Sequence, residues 1–226
     1  MGIRRPVGLG HDQQRAIEVI GPDFPEGGVV KYGAVRSDLR DMDYLLCSGN
    51  AAFSKLIQLG TGAVWSHVAR LIWVPKFDNL MVFESVESIG VRLVPLSSYM
   101  RDYSGTGEPY PGGLLVGRHP DYDLSDAYPD RMERAGRFIG KHQGRPYDGA
   151  EIGRIAWRIA AAVMGVEPDL VRDDTFICSE ASTELDAEYG LDLSDLWDGR
   201  GFVSPANIAM WEPIDQVCIL RPKDGG

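Results

Sequence analysis

Three residues carry types and settings that bear chemistry: Cys178, His67 and Glu84. Cys178 follows the apolar pair Phe176-Ile177 and opens a polar, helix-forming run, Ser179-Glu180-Ala181-Ser182. A thiol at a helix N-terminus feels the positive end of the macrodipole, which favours the thiolate, the form that attacks carbonyl carbon. The other reading open to Cys178 is a buried thiol at a strand–helix junction. Cys47 and Cys218 sit in apolar strand segments and read as small core hydrophobes. A thiolate nucleophile needs a base. His11, His119 and His142 read as surface residues, whereas His67 begins the apolar run Val68–Val74, where a sheet would hold its ring rigidly. Glu84 interrupts Leu80-Met-Val-Phe-Glu-Ser-Val on the next strand. A carboxylate there is costly if buried unless it is paired, and an imidazole on the adjacent strand would pair with it and set the tautomer. An outward-facing Glu84 on a solvated sheet face and a satisfied edge histidine are the alternatives.

The elements that must position these side chains follow from periodicity and punctuation. Asp43–Cys47 reads as a strand, and Ala51–Leu59 as a helix ended by Gly60. Val68–Val74, Leu80–Val86 and Val91–Val94 read as three strands separated by turns at Asp78-Asn79 and Ile89-Gly90, which predicts an antiparallel meander. Residues 102–113 are a loop, Leu114–Val116 a further strand, and Asp126–His142 a helix. Ala150–Met164 carries an apolar stripe at i, i+3, i+4, i+7 and reads as a core-facing helix. Ser179–Tyr189 is a helix, Ser204-Pro205 an N-cap followed by proline at the first helical position, and Val217–Leu220 a closing strand. Strands, then helices, then a last strand predict an α+β fold.

Composition narrows the function classes. The chain has 226 residues, 44% hydrophobic, with 23 Lys plus Arg against 33 Asp plus Glu and a net charge of −10. That is one ordinary domain, and its charge argues against nucleic-acid binding and against docking on an anionic membrane. No apolar run is long enough to span a bilayer, and no signal peptide is evident, so the expected location is cytoplasmic. Three cysteines without a CxxC pair argue against a disulfide framework or structural zinc. Asp121-x-Asp123-x-Ser125 shares the start of a calcium loop but lacks its glycine and its final glutamate. No nucleotide-binding motif or HExxH is present. Arg154 and Arg158 share one helix face and read as solvated. No metal and no organic cofactor is expected.

Taken in order, Asp43-Tyr-Leu-Leu, Phe53-Ser-Lys-Leu-Ile, Thr61-Gly, Ser66-His67-Val, Val82-Phe-Glu84, Gly90-Val-Arg-Leu-Val-Pro-Leu, Pro146-Tyr-Asp148 and Phe176-Ile-Cys178-Ser-Glu180 form a series. It resembles the circularly permuted branch of the NlpC-type papain-like cysteine peptidases and amidases, the YiiX/YaeF-like family. The lecithin:retinol acyltransferase group is a related permuted branch. The resemblance spans roughly residues 40–220 and implies a permuted papain-like α+β domain over 41–226, with residues 1–40 as an extension packed on it. The order His67, Glu84, Cys178 is that of a permuted chain, and permutation is harmless because a catalytic constellation is defined by geometry. The resemblance implies Cys178 as nucleophile, His67 as general base and Glu84 as the group that orients it. Tyr147 falls in the Pro-Tyr-Asp stretch and either lines the site or packs as a turn aromatic. Ser66 and Trp65, flanking His67, are further substrate-side candidates, with core packing the alternative for Trp65. The expected activity is hydrolysis of an amide bond (peptide, isopeptide or N-acyl) through an acyl-enzyme, the partner being a small molecule or a peptide. The same Cys–His pair would also serve an acyltransferase or thioesterase, and a non-catalytic binding module is the remaining class. Oligomeric state is left open.

Overall fold

The computed structural model describes residues 29–87, 89–122, 128–146, 178–191, 193, 196 and 203–220. Seven strands form one sheet: β1 (Val29–Val30), β2 (Tyr44–Gly49), β3 (His67–Val74), β4 (Asn79–Val86), β5 (Gly90–Pro95), β6 (Gly112–Arg118) and β7 (Asp215–Leu220). Their spatial order is β1-β7-β6-β2-β3-β4-β5, and every pairing is antiparallel except β1 with β7. Six α-helices accompany the sheet among the described residues: α1 (Tyr32–Val35), α2 (Ala52–Thr61), α3 (Leu96–Arg101), α4 (Tyr128–His142), α5 (Cys178–Tyr189) and α6 (Pro205–Met210). The architecture is mixed α+β, as the element order implies.

Both faces of the sheet are covered. On one side Tyr44, Leu46, Val68, Ile72 and Phe83 pack with Phe138 and Ile139 of α4 and Leu185 of α5. On the other, Leu45, Cys47, Ala69, Leu71 and Val82 pack with Leu96 and Tyr99 of α3. Burial on two sides explains why β3 reads as a continuous apolar run instead of alternating with polar residues. The exception inside that run is Arg70. It is fully buried against Asp186 of α5, an ion pair in which neither side chain is exposed. Tyr44 donates to the second Asp186 oxygen at 2.9 Å, and the Arg70 guanidinium lies 3.1 Å above the Tyr44 ring centre. Arg70 also donates to the Met42 carbonyl at 2.7 Å.

The meander β3–β4–β5 is built as expected, and two departures have local causes. Helix α2 runs through Gly60 and stops at Gly62, whose left-handed φ of 64° lets its N–H reach the Gln58 carbonyl. Gly90 opens β5 at φ 93°, and a Cβ there would meet the Arg145 carbonyl oxygen at 2.2 Å. That close approach joins the turn after α4 to β5 through Val91 N–H to Arg145 O at 2.9 Å and Gly144 N–H to Val91 O at 2.8 Å. Helix α3, directly after Pro95, carries no six-residue pattern strong enough to read from sequence. The Ser204 cap of α6 is a full capping box with Pro205 in the first turn.

Two of the histidines read as surface residues are buried. His119 lies against the Trp211 ring at 4.7 Å and accepts from the Asp121 N–H at 3.1 Å, while His142 stacks on Phe138 at 4.3 Å. In each case an adjacent aromatic face draws the ring inward. Within residues 29–40, Val29 and Val30 pair with Ile219 and Leu220, and Val35 and Leu39 are buried in the core. The expected helix at 150–164, with Arg154 and Arg158, and the segment at Tyr147 lie outside the described residues, as does His11. No helix among the described residues is long and apolar enough to cross a membrane.

Removing one member of a buried ion pair strands the other charge, at a cost of about 3–5 kcal/mol. Asp186→Ala is therefore expected to lower the unfolding free energy by about that amount in urea titration. The double replacement Arg70→Met with Asp186→Leu should recover most of the loss. A single-variant loss below about 1 kcal/mol would show that the pair does not hold α5 to the sheet.

Candidate active site

The register of the sheet sets the histidine and the carboxylate. His67 is the first residue of β3 and lies opposite Cys47 of β2. Arg70 pairs with Phe83 on β4, so one step along the ladder Ala69 faces Glu84, and His67 and Glu84 become diagonal neighbours on the same face. Diagonal partners are within reach of long side chains. His67 Nε2 and Glu84 Oε2 are 2.8 Å apart, with the His67 side chain 13% exposed and that of Glu84 fully covered.

Glu84 serves more than His67. Arg92, directly opposite it on β5, donates from Nε at 2.7 Å and places Nη2 at 2.7 Å from the same oxygen, Oε1. Tyr99 of α3 donates its hydroxyl to Oε2, the oxygen that meets His67. Burial alone would raise the proton affinity of Glu84, but His67, Arg92 and Tyr99 together hold it below the ordinary carboxylate range. Tyr99 is pushed the other way, by burial first and then by Glu84, and so stays a hydroxyl donor. Neither Arg92 nor Tyr99 stands out in the sequence. Arg92 has a readable signal, a cation in an apolar strand next to a strand with a lone carboxylate; Tyr99 has none.

Cys178 arrives from the other face of the sheet. It is the first residue of α5, a 12-residue helix whose Ala181 and Leu185 pack on the core beneath β3 and β4. Its sulfur is near enough to the His67 ring to raise the proton affinity of the imidazole. Since Nε2 faces Glu84, the nitrogen left for sulfur is Nδ1. Burial disfavours a charged imidazole, yet Cys178 and Glu84 outweigh it and push the His67 pKa up to about 10.

His67 and Cys178 line a cleft of about 320 Å3, together with Ser179, Phe53, Ile57, Val86, Ile89 and Pro111, while Glu84 lies behind His67 and does not reach it. Ser66 also lines it, but its hydroxyl is committed to the backbone, accepting from Gly49 N–H at 2.9 Å and meeting the Cys47 carbonyl at 3.4 Å. Trp65 does not line the cleft. Its indole is buried in the helix-side core with Val64 and Val68, where a large apolar ring excludes the most water. Two tyrosines of the 102–111 loop complete the wall: Tyr103 packs edge-on to Tyr110 at 4.8 Å, and both contact Tyr99.

No family model and no curated protein matches the chain. Among solved structures, the fold is similar to that of the metalloprotein yiiX from Escherichia coli O157:H7 (DUF1105), with a TM-score of 0.53 and 20% identity. The match covers 79% of this chain and 96% of that one.

An imidazole held between sulfur and carboxylate should titrate far above free histidine. Nitrogen-detected NMR is expected to find His67 protonated at pH 8 and losing its proton near pH 10. Cys178→Ala removes one of the two raising partners, so the titration should move to lower pH. A His67 that titrates at its ordinary value in the wild type would contradict the geometry.

Proposed function

We propose that this protein is a cysteine hydrolase of the permuted papain-like, NlpC-related type, cleaving an amide bond through an acyl-enzyme on Cys178. The observation that carries the reading is His67, bonded through Nε2 to the buried Glu84 at 2.8 Å and lining one cleft with Cys178, whose sulfur raises its proton affinity. A core cysteine has no need of an imidazole with raised proton affinity, whereas a nucleophile does. Likeness in fold to yiiX supports the architecture.

In this reading the sulfur attacks the substrate carbonyl carbon, forming an S–C bond while the carbonyl π pair moves to oxygen. As the pair returns, the C–N bond breaks and the departing amine takes the proton held by His67. Water then attacks the thioester, gives a proton to His67, and releases the acid and the thiolate. Glu84 keeps the imidazole in register throughout, and Arg92 and Tyr99 keep Glu84 in place. The yiiX structure is described as that of a metalloprotein. Among the described residues here, no group of three His, Cys, Asp or Glu side chains is placed to hold a metal ion.

The cleft walls favour a substrate whose group beside the scissile bond is apolar. Phe53, Ile57, Val86, Ile89 and Pro111 offer hydrocarbon contact and no counter-charge, and Glu87 on the same wall disfavours an anion.

Two measurements test the proposal. Cys178→Ala should abolish release of p-nitrophenol from p-nitrophenyl acetate and leave thermal unfolding nearly unchanged. Iodoacetamide should label Cys178 before Cys47 and Cys218, because burial pushes the Cys47 thiol well above its ordinary value and the Cys218 thiol up to about 12. Turnover by the alanine variant, or equal labelling of all three thiols, would end the nucleophile assignment. In a series of p-nitrophenyl esters, each methylene buried in the cleft should raise kcat/KM by up to about fourfold, from roughly 0.8 kcal/mol per CH2. A flat series would remove the apolar-substrate claim and leave the nucleophile untouched.

A further inference from the structure

Ser179, next to Cys178 in the first turn of α5, is fully buried, and its hydroxyl oxygen has no hydrogen-bond partner among the described residues. An unsatisfied buried hydroxyl is unfavourable, and native structures keep few without a reason. This one lines the same cleft as Cys178 and His67. Ser66 and Tyr99 form a contrast: both are equally buried around the site, and both have their hydroxyls bonded within the protein. A serine hydroxyl rotates about its C–O bond and can turn its proton to whatever acceptor arrives. In its neighbourhood the acceptor that a cysteine hydrolase creates is the oxygen of the carbonyl under attack. The same helix turn adds backbone N–H groups that lack intrahelical acceptors.

We propose that Ser179 Oγ is a catalytic oxyanion donor: it hydrogen-bonds the negative oxygen of the tetrahedral intermediate on Cys178, together with first-turn N–H groups of α5. The inference rests on the hydrolase reading above and adds a residue to it. The donor transfers no proton. It stabilises the electron pair that moves from the C=O bond to oxygen as the S–C bond forms, and it is weakened again when that pair returns and the leaving group departs. A group that finds its partner only as the oxyanion develops lowers the barrier more than it strengthens ground-state binding. The free protein leaves this hydroxyl unsatisfied, and the intermediate satisfies it.

The test separates reactions that build an oxyanion from one that does not. Acylation by p-nitrophenyl acetate passes through a tetrahedral oxyanion; alkylation by iodoacetamide is a direct displacement at carbon and needs only the thiolate. Ser179→Ala is expected to slow the acylation burst by about 100-fold, the scale of one oxyanion donor, with the fall in kcat and little change in KM. Its iodoacetamide rate at Cys178 should stay at the wild-type value. Ser179→Thr, which keeps a hydroxyl, should restore much of the acylation rate. Wild-type acylation by the alanine variant would overturn the proposal. So would an equal loss of acylation and alkylation, which would mark Ser179 as a structural support of the thiol. A wild-type protein that alkylates but never acylates would overturn the hydrolase reading itself, and this inference with it.

Discussion

The ion pair between Arg70 and Asp186 joins the two elements whose alignment the site requires. Arg70 lies three residues beyond His67 on β3, about 10 Å along a strand. Asp186 lies eight residues beyond Cys178 on α5, about 12 Å along a helix. The two spans nearly match. Anchoring the far ends together, with α5 running alongside β3, therefore brings the near ends together as well, sulfur to imidazole. A charge pair suits this task better than an apolar contact of similar size. Both members are fully buried, so any shift that separates them exposes an uncompensated charge to the core, and the Tyr44 hydroxyl and the Met42 carbonyl narrow the geometry further. Hydrophobic packing of Leu185 and Ala181 would tolerate sliding of the helix along the sheet; the ion pair does not.

A second buried charge lies on the opposite face, and it solves a different problem. Glu84 must remain ionised to raise the proton affinity of His67, yet burial favours its neutral form. Arg92 and the Tyr99 hydroxyl resolve the conflict, one by charge and one by hydrogen bond. The division of oxygens matters. Arg92 takes Oε1, which leaves Oε2 for the imidazole and the tyrosine. Arg92 thus keeps the carboxylate charged without competing for the atom that orients the ring. The aromatic cluster of Tyr99, Tyr103 and Tyr110 shields this arrangement from water on the loop side.

Much of the sheet was legible because its strands are long apolar runs bounded by Asp78-Asn79, Ile89-Gly90 and Pro95. The meander follows from those boundaries alone, and with it the neighbourhood of His67 and Glu84. What stayed hidden is what depends on side-chain direction. Arg70 reads as a blemish in an apolar strand until the sheet is known to be covered on both faces. Trp65 adjoins His67 in sequence but points into the helix-side core, since sequence proximity says nothing about which face a side chain takes at the start of a strand. His119 and His142 look polar and exposed in sequence, and only the positions of Trp211 and Phe138 draw them in. Ser179 is the clearest case: serine beside cysteine is unremarkable as sequence, and its missing partner exists only as a fact of packing.

The three cysteines show how little residue type decides by itself. Cys47 lies directly opposite His67 across the β2–β3 ladder. It is nonetheless held neutral. Full burial raises its proton affinity, the neighbouring Glu84 and Cys178 raise it further, and its S–H points to the Leu45 carbonyl at 3.7 Å. Cys218, in β7, is held neutral chiefly by burial, with Asp43 adding to it. Cys178 differs in its supports: a helix start behind it, an imidazole beside it, and a cleft in front. The negative field of Glu84 acts on Cys47 directly, whereas His67 stands beside Cys178. His67 turns the same charge that suppresses ionisation of Cys47 into the charge that holds a proton beside Cys178. The three cysteines thus differ by the order of groups around them, carboxylate, imidazole, thiol at Cys178 alone, and not by any property of the cysteines themselves.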